Sequence, residues 1–71
     1  MRKRKLYLSE LLNRNANKDL NLIIITKTGE HHFDDIKSSL SVLKYHNYLD
    51  YQVIEWYITH STLTQTLIIK I

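Results

Sequence analysis

The chain has 71 residues with 10 Lys+Arg against 7 Asp+Glu, a formal charge of +3, and neither cysteine nor proline. A domain of roughly this length buries only about 60% of its unfolded surface, so it closes one core and not two. The missing cysteines exclude a disulfide framework, a thiolate metal site and a cysteine nucleophile, and they fit a reducing, cytoplasmic setting.

Arg2, Lys3, Arg4 and Lys5 hold four of the ten basic residues, leaving 6 basic against 7 acidic residues, or −1, over residues 6–71. Residues 1–5 therefore read as a basic tail, expected to be mobile, on a near-neutral body. A domain that coats nucleic acid carries its basic excess across a folded face, which this distribution does not provide. The apolar Leu6-Tyr7-Leu8 is broken by Ser9 and Glu10 before an export leader is complete. The longest aliphatic run, Leu22 to Ile25, falls far short of the ~20 residues that cross a bilayer.

Ser9 has the chemistry of an N-cap, and Leu8, Leu11 and Leu12 share one face, predicting a short helix over roughly residues 9–16. The Asn-rich stretch from Asn13 to Asp19 is a connector. Leu20 to Lys27 is β-branched, with Leu20, Leu22 and Ile24 on one face and Ile23 and Ile25 on the other, as an interior strand would be. The single glycine, Gly29, marks a hairpin, with a second strand running from Glu30 through Ile36. From Ser38 to Asp50 the pattern suits either a short helix using Ile36, Leu40 and Leu43 or an irregular crossing. Tyr51 to His60 reads as a strand with Ile54, Trp56 and Ile58 toward the core, and after a turn at Ser61-Thr62-Leu63 the chain closes with a strand over Thr64–Ile71. The expected fold is a single α+β domain over residues 1–71. A short N-terminal helix packs on an antiparallel sheet of about four strands, with a short helix or irregular crossing between strands two and three. The closing strand, blunted only by Lys70, is expected at an edge where a second copy or a partner's strand could add, so monomer and homodimer both stay open.

Enzyme signatures are missing: there is no glycine-rich phosphate loop, no GxSxG and no HExxH, and catalysis is not expected. The segment His31-His32-Phe33-Asp34-Asp35, with His46 and His60 elsewhere, offers the imidazole and carboxylate ligands that zinc takes when cysteine is missing. On a strand His32 and Asp34 point the same way, so these two, with His31 or His46 as a third, are the metal candidates. The competing reading makes His31 and His32 solvated residues beside a turn, has Asp34 or Asp35 cap the next segment, and lets His60 end a strand. Tyrosines gather in the second half at Tyr45, Tyr48, Tyr51 and Tyr57, around the core-phased Trp56. Tyr45 and Tyr48 are candidates for partner contact, together with Arg2, Lys3, Arg4 and Lys5 of the tail. Base stacking on these rings would need a flanking basic groove, and Lys44 is the one cation close in sequence.

The helix at SELLNRN, the hairpin at TKTGE, the strand YLDYQVIEWYI and the closing TLIIKI together resemble small accessory proteins of phages and prophages of Gram-positive bacteria, over nearly the whole chain. Within that group the chain is similar in size and character to anti-CRISPR proteins that disable type II effectors, some of which contain metal. The resemblance implies a non-enzymatic inhibitor in the host cytoplasm. It would bind a type II RNA-guided nuclease and block target DNA loading or conformational closure, with zinc as a candidate cofactor. The alternative is a small nucleic-acid-binding accessory or regulatory protein, and a metal-dependent hydrolase built on the histidines comes third.

Overall fold

A computed structural model of the chain describes residues 5–71. The elements run α1 (Leu8–Asn15), β1 (Asn21–Thr26), β2 (Gly29–Phe33), α2 (Ile36–Tyr45), a 3-10 turn (Tyr48–Asp50), β3 (Glu55–His60) and β4 (Gln65–Lys70). This is the expected α+β domain. Among the described residues no helix is long and apolar enough to cross a membrane.

In α1, Leu8, Leu11, Leu12 and Asn15 recur at the spacing of one helical face, and all four are buried. The buried amide of Asn15 donates from Nδ2 to the Leu11 carbonyl at 2.8 Å, so burial leaves it satisfied. Ser9 is not the cap. The helix begins one residue earlier, after an extended Tyr7 with no side-chain cap, because the Leu8 amide is held by the Tyr51 carbonyl at 2.9 Å and Tyr7 bridges Gln52. A tertiary hydrogen bond thus replaces the local one that Ser9 offered.

The sheet is mixed, in the order β2-β1-β4-β3. Its outer pairs are antiparallel and its central pair, β1 with β4, is parallel, where an all-antiparallel sheet was expected. Two hairpins are joined through α2, and that crossover sets the second strand of the later hairpin beside β1 in the same direction. The expectation of β4 as an edge is overturned for the same reason, since it pairs on both sides. The edges are β2 and β3.

Register sets Leu22 opposite Leu67 and Ile24 opposite Ile69, and these four fully buried side chains form the centre of the core. Alternation in β1 had identified Leu22 and Ile24 as sharing a face. Ile23, opposite Ile68, lies on the other face and stays half-buried. The β1–β2 hairpin turns at Lys27-Thr28 into Gly29, whose φ of 151° only glycine adopts without strain. Thr26 Oγ1 accepts from the Thr28 amide at 3.2 Å and donates to the Gly29 carbonyl at 3.0 Å, tying the turn locally.

The segment from Tyr51 departs from expectation. Strand β3 starts at Glu55, Val53 is the buried residue, and Ile54 and Trp56 are 65% and 44% exposed. Val53 is drawn inward because its amide donates to the Leu6 carbonyl at 2.7 Å, which breaks the alternation assumed for a strand running from residue 51. Trp56 does stand opposite Ile69, on the core side, but at an edge that the helices leave largely uncovered. Ile58, opposite Leu67, is the one of the three that packs against the core.

Between residues 36 and 45 the chain is helical. Ile36, Ser39 and Leu43 are buried at one-face spacing with Leu40 packed beside them, and Ser39 Oγ is satisfied by the Ile36 carbonyl at 2.6 Å. Asp35 starts the helix, its Oδ1 accepting from the Ser38 amide at 2.6 Å. That amide, reinforced by the Ser38 side chain, holds the Asp35 carboxyl below its usual range. The folded protein therefore releases this proton more readily than the unfolded chain. The resulting stabilisation is complete above the unfolded value of about 3.9 and is lost as pH falls through the lower folded value. Asp35→Ala will lower the melting temperature at neutral pH, while Asp35→Asn, also a good cap, will hold it and flatten the acid end of the curve. Thermal melts across the acid range measure both, and equal melting temperatures for Asp35→Ala and the parent would refute the cap.

Helix α2 ends at His46, and Asn47 follows in the left-handed conformation at φ 62°. Asparagine tolerates this region and alanine does not, so Asn47→Ala will cost about 1 kcal/mol while Asn47→Gly keeps full stability, as denaturant titration will read.

Candidate binding site

The left-handed turn at Asn47 folds the chain back over the end of α2, and the 3-10 turn then returns Tyr48 toward His46. The two rings stack with centroids 5.3 Å apart and an interplanar angle of 19°. Across from them His31 reaches in from β2, its ring 5.6 Å from His46 and 5.7 Å from Tyr48. Tyr45 meets His46 edge-on at 5.3 Å, and Tyr51 meets Tyr48 edge-on at the same separation. Five rings from β2, α2 and the turn after it thus form one continuous cluster. Such offset and edge-to-face contacts contribute beyond simple burial.

The cluster is rooted on one side and open on the other. Tyr48 packs against the core and His31 is half-buried, whereas Tyr51 is 49% exposed and Tyr45 82% exposed. Beside it lies a cleft of about 600 Å³ bounded by Tyr48, Tyr51, Ile54, Ile71, Lys27 and Thr28. Tyr48, Tyr51, Ile54 and Ile71 supply apolar surface and Thr26, Lys27, Thr28 and Gln52 supply polar groups, a lining that suits an apolar side chain flanked by negative charge. Lys5, the one residue of the basic tail that the structure describes, is exposed and does not line this cleft. Arg2, Lys3 and Arg4 lie outside the described residues.

The four metal candidates are divided by the sheet. His31 stands opposite Ile24 on the core side, while His32 stands opposite Ile23 on the other face, where its Nε2 is 3.2 Å from Glu30 Oε1. Asp34 follows the end of β2 and shares a separate shallow cleft with His32. The third ligand expected from His31 or His46 is therefore on the wrong face for His32 and Asp34, because neighbouring strand residues point to opposite sides. Among the described residues no three His, Cys, Asp or Glu side chains gather as a metal-binding group. His31 and His46 together offer two imidazoles, where a structural zinc site takes four protein ligands and a catalytic one three. Asp35, on the other hand, is the cap that the competing reading of this segment expected.

No protein-family model, curated protein or solved structure matches this chain. The residues themselves carry the functional reading.

Tyr45 and Tyr48, the two expected anchors, are both in the cluster, each in contact with His46. The histidine segment and the tyrosine segment, read separately in sequence, meet at one place. Lys27, Ile54 and Ile71 gave no local sign of belonging there. They arrive from the β1–β2 turn, the lead-in to β3 and the end of β4.

Proposed function

We propose that the protein is a non-enzymatic inhibitor that acts by binding a protein partner, and that the partner is a type II RNA-guided nuclease. The observation that carries the binding role is the exposed aromatic cluster beside an apolar cleft, with Tyr45 projecting farthest. Interface hot spots favour large aromatic anchors set at the mouth of such pockets. The nuclease is the partner implied by the likeness to small phage inhibitors. A nuclease of this class must engage a PAM, load target DNA into a basic channel and move its nuclease domain. With −1 over residues 6–71, this body is poorly suited to replacing DNA charge for charge. Docking on a protein lobe to prevent loading or closure is the mechanism that remains. A chain of this size offers a footprint of roughly 800 Å², enough for a standard interface. The basic tail then acts on association rate more than on lifetime.

Titrating the protein into target cleavage by a purified guide-loaded nuclease tests this. Cleavage should fall to zero near equimolar inhibitor. Full cleavage at large excess overturns the reading, and so does inhibition far below equimolar, which would indicate turnover. Nucleic-acid binding is the second reading, favoured by the basic tail and by Lys27 in the cleft beside Tyr48 and Tyr51. Tight, salt-sensitive gel shifts of bare DNA or RNA by the isolated protein would put it first.

A further inference from the structure

Strand β3 has β4 on one side and, among the described residues, no strand on the other. Just before it, the Val53 amide donates to the Leu6 carbonyl at 2.7 Å, the Leu8 amide to the Tyr51 carbonyl at 2.9 Å, and Tyr7 bridges Gln52 antiparallel. Residues 6–8 are thus laid antiparallel along residues 51–53. The Ile54 amide turns the opposite way, to the Lys70 carbonyl at 2.8 Å, so residues 6–8 stand on the side away from β4. Glu55 is paired with that same Lys70, and two residues against one make a β-bulge. The bulge explains why Val53 and Trp56, three apart, both take the core side. Past it, the Ile71 amide goes to the Ile25 carbonyl on β1, so Lys70 turns its backbone groups to Glu55. By alternation Glu55, Tyr57 and Thr59 spend theirs on β4, while Trp56 and Ile58 turn theirs outward.

We propose that Arg2, Lys3 and Arg4, which lie outside the described residues, continue the pairing of residues 6–8 along this outer edge of β3. Counted on from Leu6 against Val53, with Lys5 opposite the bulge, the register sets Arg4 against Trp56, Lys3 against Tyr57 and Arg2 against Ile58. Arg4 and Trp56 then exchange both backbone bonds. The Arg4 side chain falls on the core side with the exposed indole of Trp56, and tryptophan is the strongest aromatic partner for a cation. Lys5 falls on the open face with Glu55, the one carboxylate of β3, which Lys70 flanks from the next strand. Strand β3 has neither lysine nor arginine of its own, and basic residues along an edge are a usual guard against foreign strands. Continuity with backbone bonds already made, together with this match of charge, selects the chain's own segment over a second copy or a partner's strand. The edge does not include Tyr45 or Tyr48, so the pairing stands apart from the proposed inhibition.

Nuclear magnetic resonance of the full-length protein tests the register directly. A close Hα–Hα contact should join Lys3 to Tyr57, and the outward amides of Trp56 and Ile58 should be protected from hydrogen exchange. In Arg4→Pro, which removes the donor to the Trp56 carbonyl, the Trp56 amide should exchange about tenfold faster, as expected for loss of roughly one net hydrogen bond. Lys3→Pro should keep the protection, because the Lys3 amide points to solvent in this register and an edge strand accepts proline there. Absence of the Lys3–Tyr57 contact in the parent overturns the proposal, whether or not either variant folds. Protection that survives in folded Arg4→Pro overturns it too, and a dimer mass in sedimentation would then give the edge to a second copy.

Discussion

Leu67→Ala will cost about 2–5 kcal/mol of folding free energy, the range for emptying a buried leucine site, and will leave the protein largely unfolded. Leu67 is fully buried on an interior strand, opposite Leu22 on one side and Ile58 on the other. Its neighbours cannot collapse into the space, because both flanking strands are held in register by backbone hydrogen bonds. A single core in a chain this short supplies only about 3–5 kcal/mol net, so the loss is of the same size as the whole stability. Ile68→Ala, on the half-buried face of the same strand, removes less packing and should cost about 1 kcal/mol. Urea titration followed by circular dichroism compares the two. Equal losses would mean that the open sheet face is as well buried as the core.

Tyr45→Ala will weaken inhibition of the proposed nuclease partner roughly 30-fold, the ~2 kcal/mol of an interface hot spot, with the melting temperature unchanged. Tyr45 can be removed cleanly because most of its surface faces solvent and, among the described residues, its ring meets no ring but that of His46. Tyr48→Ala should weaken inhibition as well, but with a loss of stability, since Tyr48 stacks on His46 and also packs against the core. The contrast separates a contact residue from one that also supports the fold. Undiminished inhibition by a folded Tyr45→Ala protein would remove the aromatic cluster from the interface.

Much of the local structure is legible residue by residue. Leu8, Leu11 and Leu12 mark α1, the alternation from Leu20 to Ile25 marks β1, and Gly29 marks the hairpin, because each signal is a period or a backbone preference confined to a few residues. For residues 36–45 the spacing of Ile36, Leu40 and Leu43 left two outcomes open, and the Asp35 cap on the Ser38 amide accompanies the helical one. At β3 the same kind of reasoning reached its limit. Alternation shows which residues share a face, and Trp56 does share one with Ile58, yet it carries no information on whether that face is covered. Coverage depends on strand order, and strand order depends on the crossover through α2.

The candidate site divides along the same line. Their place in a polar stretch, beside Lys44, His46 and Asn47, made Tyr45 and Tyr48 candidates for partner contact while leaving burial equally open. That His31 joins them, that His32 cannot, and that Lys27, Ile54 and Ile71 line the adjoining cleft are matters of the tertiary structure. By itself the sequence determined the α+β class, the first helix, the succession of four strands and the near-neutral body, since these rest on short-range periodicity and on counting. The parallel pairing of β1 with β4, the exposure of the β3 edge and the meeting of five rings were decided only in three dimensions. Each of these joins residues far apart in the chain, and the free energy that brings them together is the burial of Leu22, Ile24, Leu67 and Ile69 in a shared core, which no local pattern contains.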